Sequence, residues 1–235
     1  VQKRTKIIIG VAAGVVVVLG ATAAIAGPIF YRDVIVGEAD AAPTVTAAPT
    51  AEASDGASTD ASDLTGTWVV SDGSFAGYRV DEVLNGTDVT VVGRTEQVDG
   101  TLEVQELSLT GAEFTVDVAS IATDSGNRDD YFRDNAMRVD EHPTATFVLT
   151  DAVVADAQPV AGEVQTIEVT GALTLAGVTN PVTFELEAVL EGDGGQVAGS
   201  IPITFADYGV EAPNLGFVSV EPEGFVEFSL QITRG

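Results

Sequence analysis

The sequence contains no cysteine among its 235 residues. That removes disulfide cross-links, thiolate nucleophiles and thiolate metal sites together. Lysine is absent from Leu64 to Gly235, so neither a P-loop nor a Schiff-base mechanism has its essential residue there. Histidine occurs once, as His142. Without a second histidine, a zinc site would need three carboxylates, an unusual donor set. No Gly-x-Ser-x-Gly elbow is present, so an α/β-hydrolase reading has no anchor. The acidic stretch Asp124-Ser125-Gly126-Asn127-Arg128-Asp129-Asp130 lacks the alternating ligand spacing of an EF-hand loop. The expectation is a protein without metal, cofactor or catalytic residues, and not an enzyme.

Positive charge is scarce as well. The formal net charge is −26, and from Leu64 onward six arginines stand against 29 acidic residues. A surface that acidic repels phosphate backbones, which argues against nucleic acid as a partner. Three of the remaining basic residues, Lys3, Arg4 and Lys6, sit at the N-terminus.

Behind them runs a stretch without charge, Ile7 to Tyr31. As a helix rising 1.5 Å per residue it would extend about 37 Å, enough to cross a bilayer. With basic residues before it, this predicts a signal anchor that leaves the rest of the chain outside the cytoplasm. The expected localisation is a single-pass cell-membrane protein. The alternative is secretion after cleavage, since Ala24-Ile25-Ala26 resembles an A-x-A site. Glu38 to Asp63 is rich in Ala, Pro, Thr, Ser and acidic residues and has no aromatic residue, the composition of a disordered linker. The expected organisation is therefore a basic N-terminus at 1–6, an anchor at 7–31, a linker at 32–63 and a globular domain at 64–235.

From Leu64 the hydrophobic period becomes two. Val182, Phe184, Leu186 and Ala188 alternate with Thr183, Glu185 and Glu187. Val226, Phe228, Leu230 and Ile232 do so with Glu227, Ser229, Gln231 and Thr233, and Phe114, Val116 and Val118 with Thr115 and Asp117. Such alternation makes half-buried strands, one face in a core and the other in water. Asn85-Gly86, Asp99-Gly100 and Gly192-Asp193-Gly194-Gly195 read as turns between them. One or two helical turns are expected within Asp129 to Val139. Many strands with little helix to cover a sheet face favour closure into an antiparallel barrel, which removes its own edges. A barrel of about eight strands holds one small ligand, or only side chains.

Arg128, Arg133 and Arg138 are half of the domain's basic residues and lie five apart. Guanidinium forks bind phosphate or carboxylate in pairs of hydrogen bonds, so these three and His142 are candidates for a head-group clamp. The competing reading is local pairing with Asp129, Asp130, Asp134 or Asp140, and for His142 an ordinary turn residue. Tyr131, Phe132 and Met137, apolar residues in the same polar stretch, fit a lid over one barrel end or plain core closure.

Three segments carry a family resemblance. The first is Ser120-Ile121-Ala122-Thr123, then Arg128-Asp129 with Tyr131-Phe132, then His142-Pro143 and Thr146-Phe147. The second is Gly171-Ala172-Leu173-Thr174-Leu175-Ala176-Gly177-Val178-Thr179-Asn180-Pro181-Val182. The third is Thr67-Trp68 together with Phe205-Ala206-Asp207-Tyr208-Gly209. In this order they resemble the YceI-like family, the lipocalin-like polyisoprenoid-binding proteins. The resemblance implies an extended antiparallel barrel of about eight strands with an internal tunnel. It also implies a polyprenyl ligand, such as a polyprenyl phosphate or an isoprenoid quinone. The chain departs from the pattern at Phe205-Ala206, where family members often carry a basic or polar residue.

A prenyl chain offers no hydrogen bonds, so an apolar channel must hold it, each methylene contributing about 0.8 kcal/mol. Candidate lining residues are Tyr78, Val80, Phe114, Val116, Phe147, Leu173, Leu175, Phe184, Phe205, Phe217 and Phe228, with Tyr131, Phe132 and Met137 at the lid. The resulting expectation is an anchored barrel that carries or stores an isoprenoid lipid. The alternative is a filled barrel that acts through its acidic surface without a ligand.

Overall fold

In the computed structural model the described residues are 39–46, 64–155 and 157–235. The alternating segments become strands, as their half-apolar pattern requires. In chain order these are β1 (Gly66–Leu84), β2 (Thr87–Thr95), β3 (Val98–Gln105), β4 (Ser108–Asp117), β5 (Thr144–Leu149) and β6 (Val153–Val154). They continue as β7 (Gln165–Leu175), β8 (Val178–Glu191), β9 (Gly194–Thr204) and β10 (Val218–Arg234). All the pairings are antiparallel.

The sheet closes on itself. Its order runs β10-β9-β8-β7-β5-β4-β3-β1, and β1 pairs back onto β10. That ring has eight staves. β2 and β3 are two halves of one stave, because the long β1 pairs with both: Ala76 opposite Thr95, and Val69 opposite Thr101. β6 is a short addition to β4. The expected all-β barrel of about eight strands is thus present.

Local chemistry sets the corners. Asn85 and Gly86 both have positive φ, 51° and 79°, as a two-residue hairpin between right-twisted strands requires. Ala176 and Gly177 repeat that geometry between β7 and β8. The Asp99-Gly100 turn is corrected: both residues lie inside β3. Gly100 is there because the ring of Phe114, its partner on β4, occupies the space a Cβ would take. Helical turns form but begin before the expected Asp129, as α1 (Gly126–Tyr131), followed by a wider π-type turn at Phe132–Met137.

Two buried clusters fill the barrel. One gathers Val118, Met137, Val169, Leu173, Leu175, Phe184 and Ile201; the other gathers Trp68, Ala76, Leu102, Ala112 and Leu230. The Trp68 indole N–H donates to the Leu64 carbonyl at 3.0 Å, so its burial leaves no polar atom unpaired.

The expectation of an N-terminal transmembrane helix is corrected. No helix among the described residues is long and apolar enough to cross a membrane. The Ile7–Tyr31 run that carried the expectation lies outside the described residues. The single-pass membrane localisation and the membrane as a partner are withdrawn with it, since both rested on that helix. Within the expected linker, residues 39–46 lie against the outer wall of the barrel; residues 47–63 lie outside the described set.

Candidate functional site

Between the inward faces of the staves lies a cavity of about 100 Å³ whose exposed lining is entirely apolar. Period-two alternation puts it there. Val226, Phe228 and Leu230 of β10 point in, while Glu227 and Ser229 point away. The same rule brings in Phe184 and Leu186 of β8, Leu173 and Leu175 of β7, and Phe114 and Val116 of β4.

Aromatic rings shape the wall. Phe184 stands edge-on to Phe147 at 5.6 Å and to Phe228 at 6.0 Å, which suits the ring quadrupoles. Glycines let the rings lie back. Gly199 faces Phe228 across β9 and β10, and a Cβ on Gly199 would meet the ring at 2.8 Å. Phe147 lies over Gly171 in the same manner, as does Phe114 over Gly100. Each pair seats a ring against the neighbouring backbone at the lumen wall.

Seven of the candidate lining residues meet in this cavity: Phe114, Val116, Phe147, Leu173, Leu175, Phe184 and Phe228. Tyr78 and Phe132 stack on each other at 4.8 Å and close the core at one end. Met137 is buried in that core, and Tyr131 is half-buried at the end of α1. Val80 and Phe205 belong to a separate cluster with Val89 and Val91. Phe217 is placed elsewhere: 59% exposed, it offers its carbonyl to the Asn85 N–H at 2.7 Å.

The structure does not gather the basic candidates into one clamp. Arg128 donates to Glu82 at 3.1 Å and to Asp124 at 2.7 Å. Burial works against its charge, but these two carboxylates outweigh it and raise its pKa. Arg133 pairs with Asp130 at 2.6 Å. Arg138 ends the π-type turn in a left-handed conformation and reaches the Ala176 carbonyl at 3.4 Å. His142 sits against Gly177 in the β7–β8 corner, where only glycine leaves it room. Arg128 also borders a hollow of about 290 Å³, with Asp40, Arg94 and Asp124. That hollow is larger and lies beside β2; its lining mixes Val89, Val91 and Ala122 with those four charged residues, which a hydrocarbon chain seated there would have to desolvate.

Sequence reasoning missed most of the small and aliphatic lining, including Ala76, Leu102, Ala112, Ile201 and Val226. The signal was available for Val226, which alternates in step with Phe228. Ala76 and Ala112 carry no such signal, because alanine is as common on a solvent face as in a core. Buried Asp129 was also more than a pairing partner: its carboxylate accepts from the Thr123 N–H at 2.9 Å and the Thr123 hydroxyl at 2.7 Å, fixing the loop before α1.

Comparison with known proteins agrees with this architecture. A solved polyisoprenoid binding domain from Saccharophagus degradans, implicated in plant cell wall breakdown, superposes with a TM-score of 0.59 at 20% identity, covering 73% of this chain and 99% of that one. Burkholderia cenocepacia BcnA superposes with a TM-score of 0.52 at 21% identity, covering 66% and 95%. In sequence, a UPF0312 protein of Pseudomonas aeruginosa is 32% identical over 140 residues, 56% of this chain and 69% of its own length. Protein YceI of Salmonella newport is 34% identical over 132 residues, 54% and 63%. The model of the YceI-like domain matches residues 68–232, nearly the whole barrel. The chain belongs to the YceI-like domain family, related to the lipocalin-like polyisoprenoid-binding proteins.

Proposed function

We propose that the barrel interior binds an acyclic isoprenoid chain for carriage or storage. The observation that carries this reading is the cavity between the staves, whose exposed lining is entirely apolar. Such a lining has no hydrogen bond to offer, so it selects hydrocarbon over any polar solute. The solved domain from Saccharophagus degradans, described as polyisoprenoid-binding, supports the choice of ligand class.

Binding requires the wall to yield. About 100 Å³ is below the roughly 300–1,000 Å³ of most small-molecule sites. The rings that lie against glycines are the parts most able to shift, since they turn about side-chain torsions without breaking strand pairing. The small volume also favours a second reading, a barrel filled by its own side chains that works through its acidic surface.

Titration with geranylgeraniol in dilute detergent separates the two. Trp68 is the only tryptophan. It packs in the cluster with Leu102, Ala112 and Leu230, which line the cavity. A saturable change in Trp68 emission, with one prenyl alcohol retained per chain in native mass spectrometry, is the expected result. No spectral change and no retained mass would leave the filled barrel as the reading.

A further inference from the structure

The outer wall carries a feature that the interior reading does not use. Residues 39–46 cross the barrel from β2 to β8, over the seam where the first strand meets the last. At one end the Arg79 guanidinium donates to the Asp40 carbonyl at 2.6 Å. Arg94 donates to the Asp40 carboxylate at 3.0 Å and to the Ala41 carbonyl at 3.0 Å. Beneath them Glu227 of β10 is 1% exposed and pairs with Arg79 of β1. At the other end Val45 is buried against Val189 of β8 and Ala198 of β9. The Val45 N–H donates to the Glu187 carboxylate at 3.1 Å, and the Thr46 N–H to the Gln196 side-chain Oε1 at 3.3 Å.

At the Val45 end the grip points alternate with the cavity lining: Glu187 follows Leu186 and Ala198 follows Val197, and both of those neighbours line the cavity. At the other end Glu227, the carboxylate that holds Arg79, lies between the lining residues Val226 and Phe228. An outward shift of the lining therefore moves the grip points with it. A segment anchored at both ends fits one curvature of the wall. A wall widened by a ligand offers a different spacing.

We infer that residues 39–46 act as a strap whose docking favours the narrow barrel and opposes filling of the cavity. This rests on the isoprenoid-binding reading. Linkage makes the effect reciprocal: the ligand loosens the strap by the same factor as the strap weakens the ligand. A strap released by loading then reports the filled state to the outside of the protein.

The test is hydrogen–deuterium exchange at the Val45 and Thr46 amides of the full chain, with and without saturating geranylgeraniol. Alongside it, the alcohol's affinity is measured for wild type, Val45→Asp and Arg94→Gln, each first shown to unfold cooperatively. Loading is expected to speed exchange at both amides by about fivefold or more, and either substitution to tighten binding by a similar factor. Retained binding with unchanged exchange in wild type, or with unchanged affinity in a variant whose strap amides exchange freely, overturns the coupling and leaves the ligand reading standing. No binding by any of the three proteins overturns the ligand reading and this inference together. The exchange measurement on wild type needs no substitution, so a variant that fails to fold does not remove the test.

Discussion

Glu227 and Arg79 join the last strand to the first. The Arg79 Nε donates to one Glu227 oxygen and its Nη2 to the other at 3.2 Å, beneath a wall segment that leaves Glu227 almost without solvent. Arg94 stands 3.9 Å from the same carboxylate. The pair spans the β1–β10 seam, the contact that turns a meander into a barrel.

Glu227→Ala would leave Arg79 without its carboxylate in a half-buried position. Breaking such a pair from one side costs about 3 kcal/mol, the lower end for a buried bridge because Arg79 still reaches water. Urea denaturation should show a lower midpoint with an unchanged slope.

Gly199→Ala should drive the Phe228 ring towards the lumen, because a Cβ there meets that ring at 2.8 Å and the Leu186 Cβ at 3.2 Å. Overpacking of this kind costs about 1–3 kcal/mol. Under the proposed function the prenyl alcohol affinity falls by more than the stability loss explains, as read by Trp68 emission.

Phe184→Ala makes the opposite change. It deletes the ring that meets both Phe147 and Phe228, at a cost of about 3–5 kcal/mol in urea unfolding. The enlarged lumen is expected to accept a bulkier prenyl ligand, such as a branched or cyclised one, that wild type rejects in native mass spectrometry.

Tyr78 contributes to stability at alkaline pH. Burial raises its phenol well above the ordinary value; Arg128 opposes this, and Asp129, Glu82 and Asp124 add to it. A folded-state pKa above the unfolded one means the folded chain holds the proton longer. That contribution is complete below about pH 10 and is lost as pH rises beyond it. Thermal unfolding followed from pH 9 upward should therefore show stability falling, and Tyr78→Phe should make the fall shallower.

Much of this molecule was legible in one dimension. Absence of cysteine and of lysine in the domain, and a lone histidine, narrowed the chemistry before any fold was known. Alternation at Val182–Ala188 and Val226–Ile232 named strands, because a strand exposes its period in every second side chain. Asn85-Gly86 named a corner, because few other pairs tolerate positive φ twice. Asp99-Gly100 misled for the same reason: glycine marks a corner or a place where a ring needs room, and only the partner strand shows which.

What tertiary structure alone decided is everything that depends on closure. Sequence gave no means to pair Gly199 with Phe228 or to seat Val45 on Ala198, since those contacts join distant segments through strand order and register. It placed Phe217 in the lumen because it is aromatic, whereas the corner beside Asn85 holds it outside. The three arginines are evenly spaced along the chain, yet each finds a different partner once α1 and the π-type turn rotate them apart. Composition and period determined that this chain forms antiparallel strands with one apolar face. Only the closed sheet decided how narrow the lumen is, because that width is set by which rings lie against which glycines across the staves.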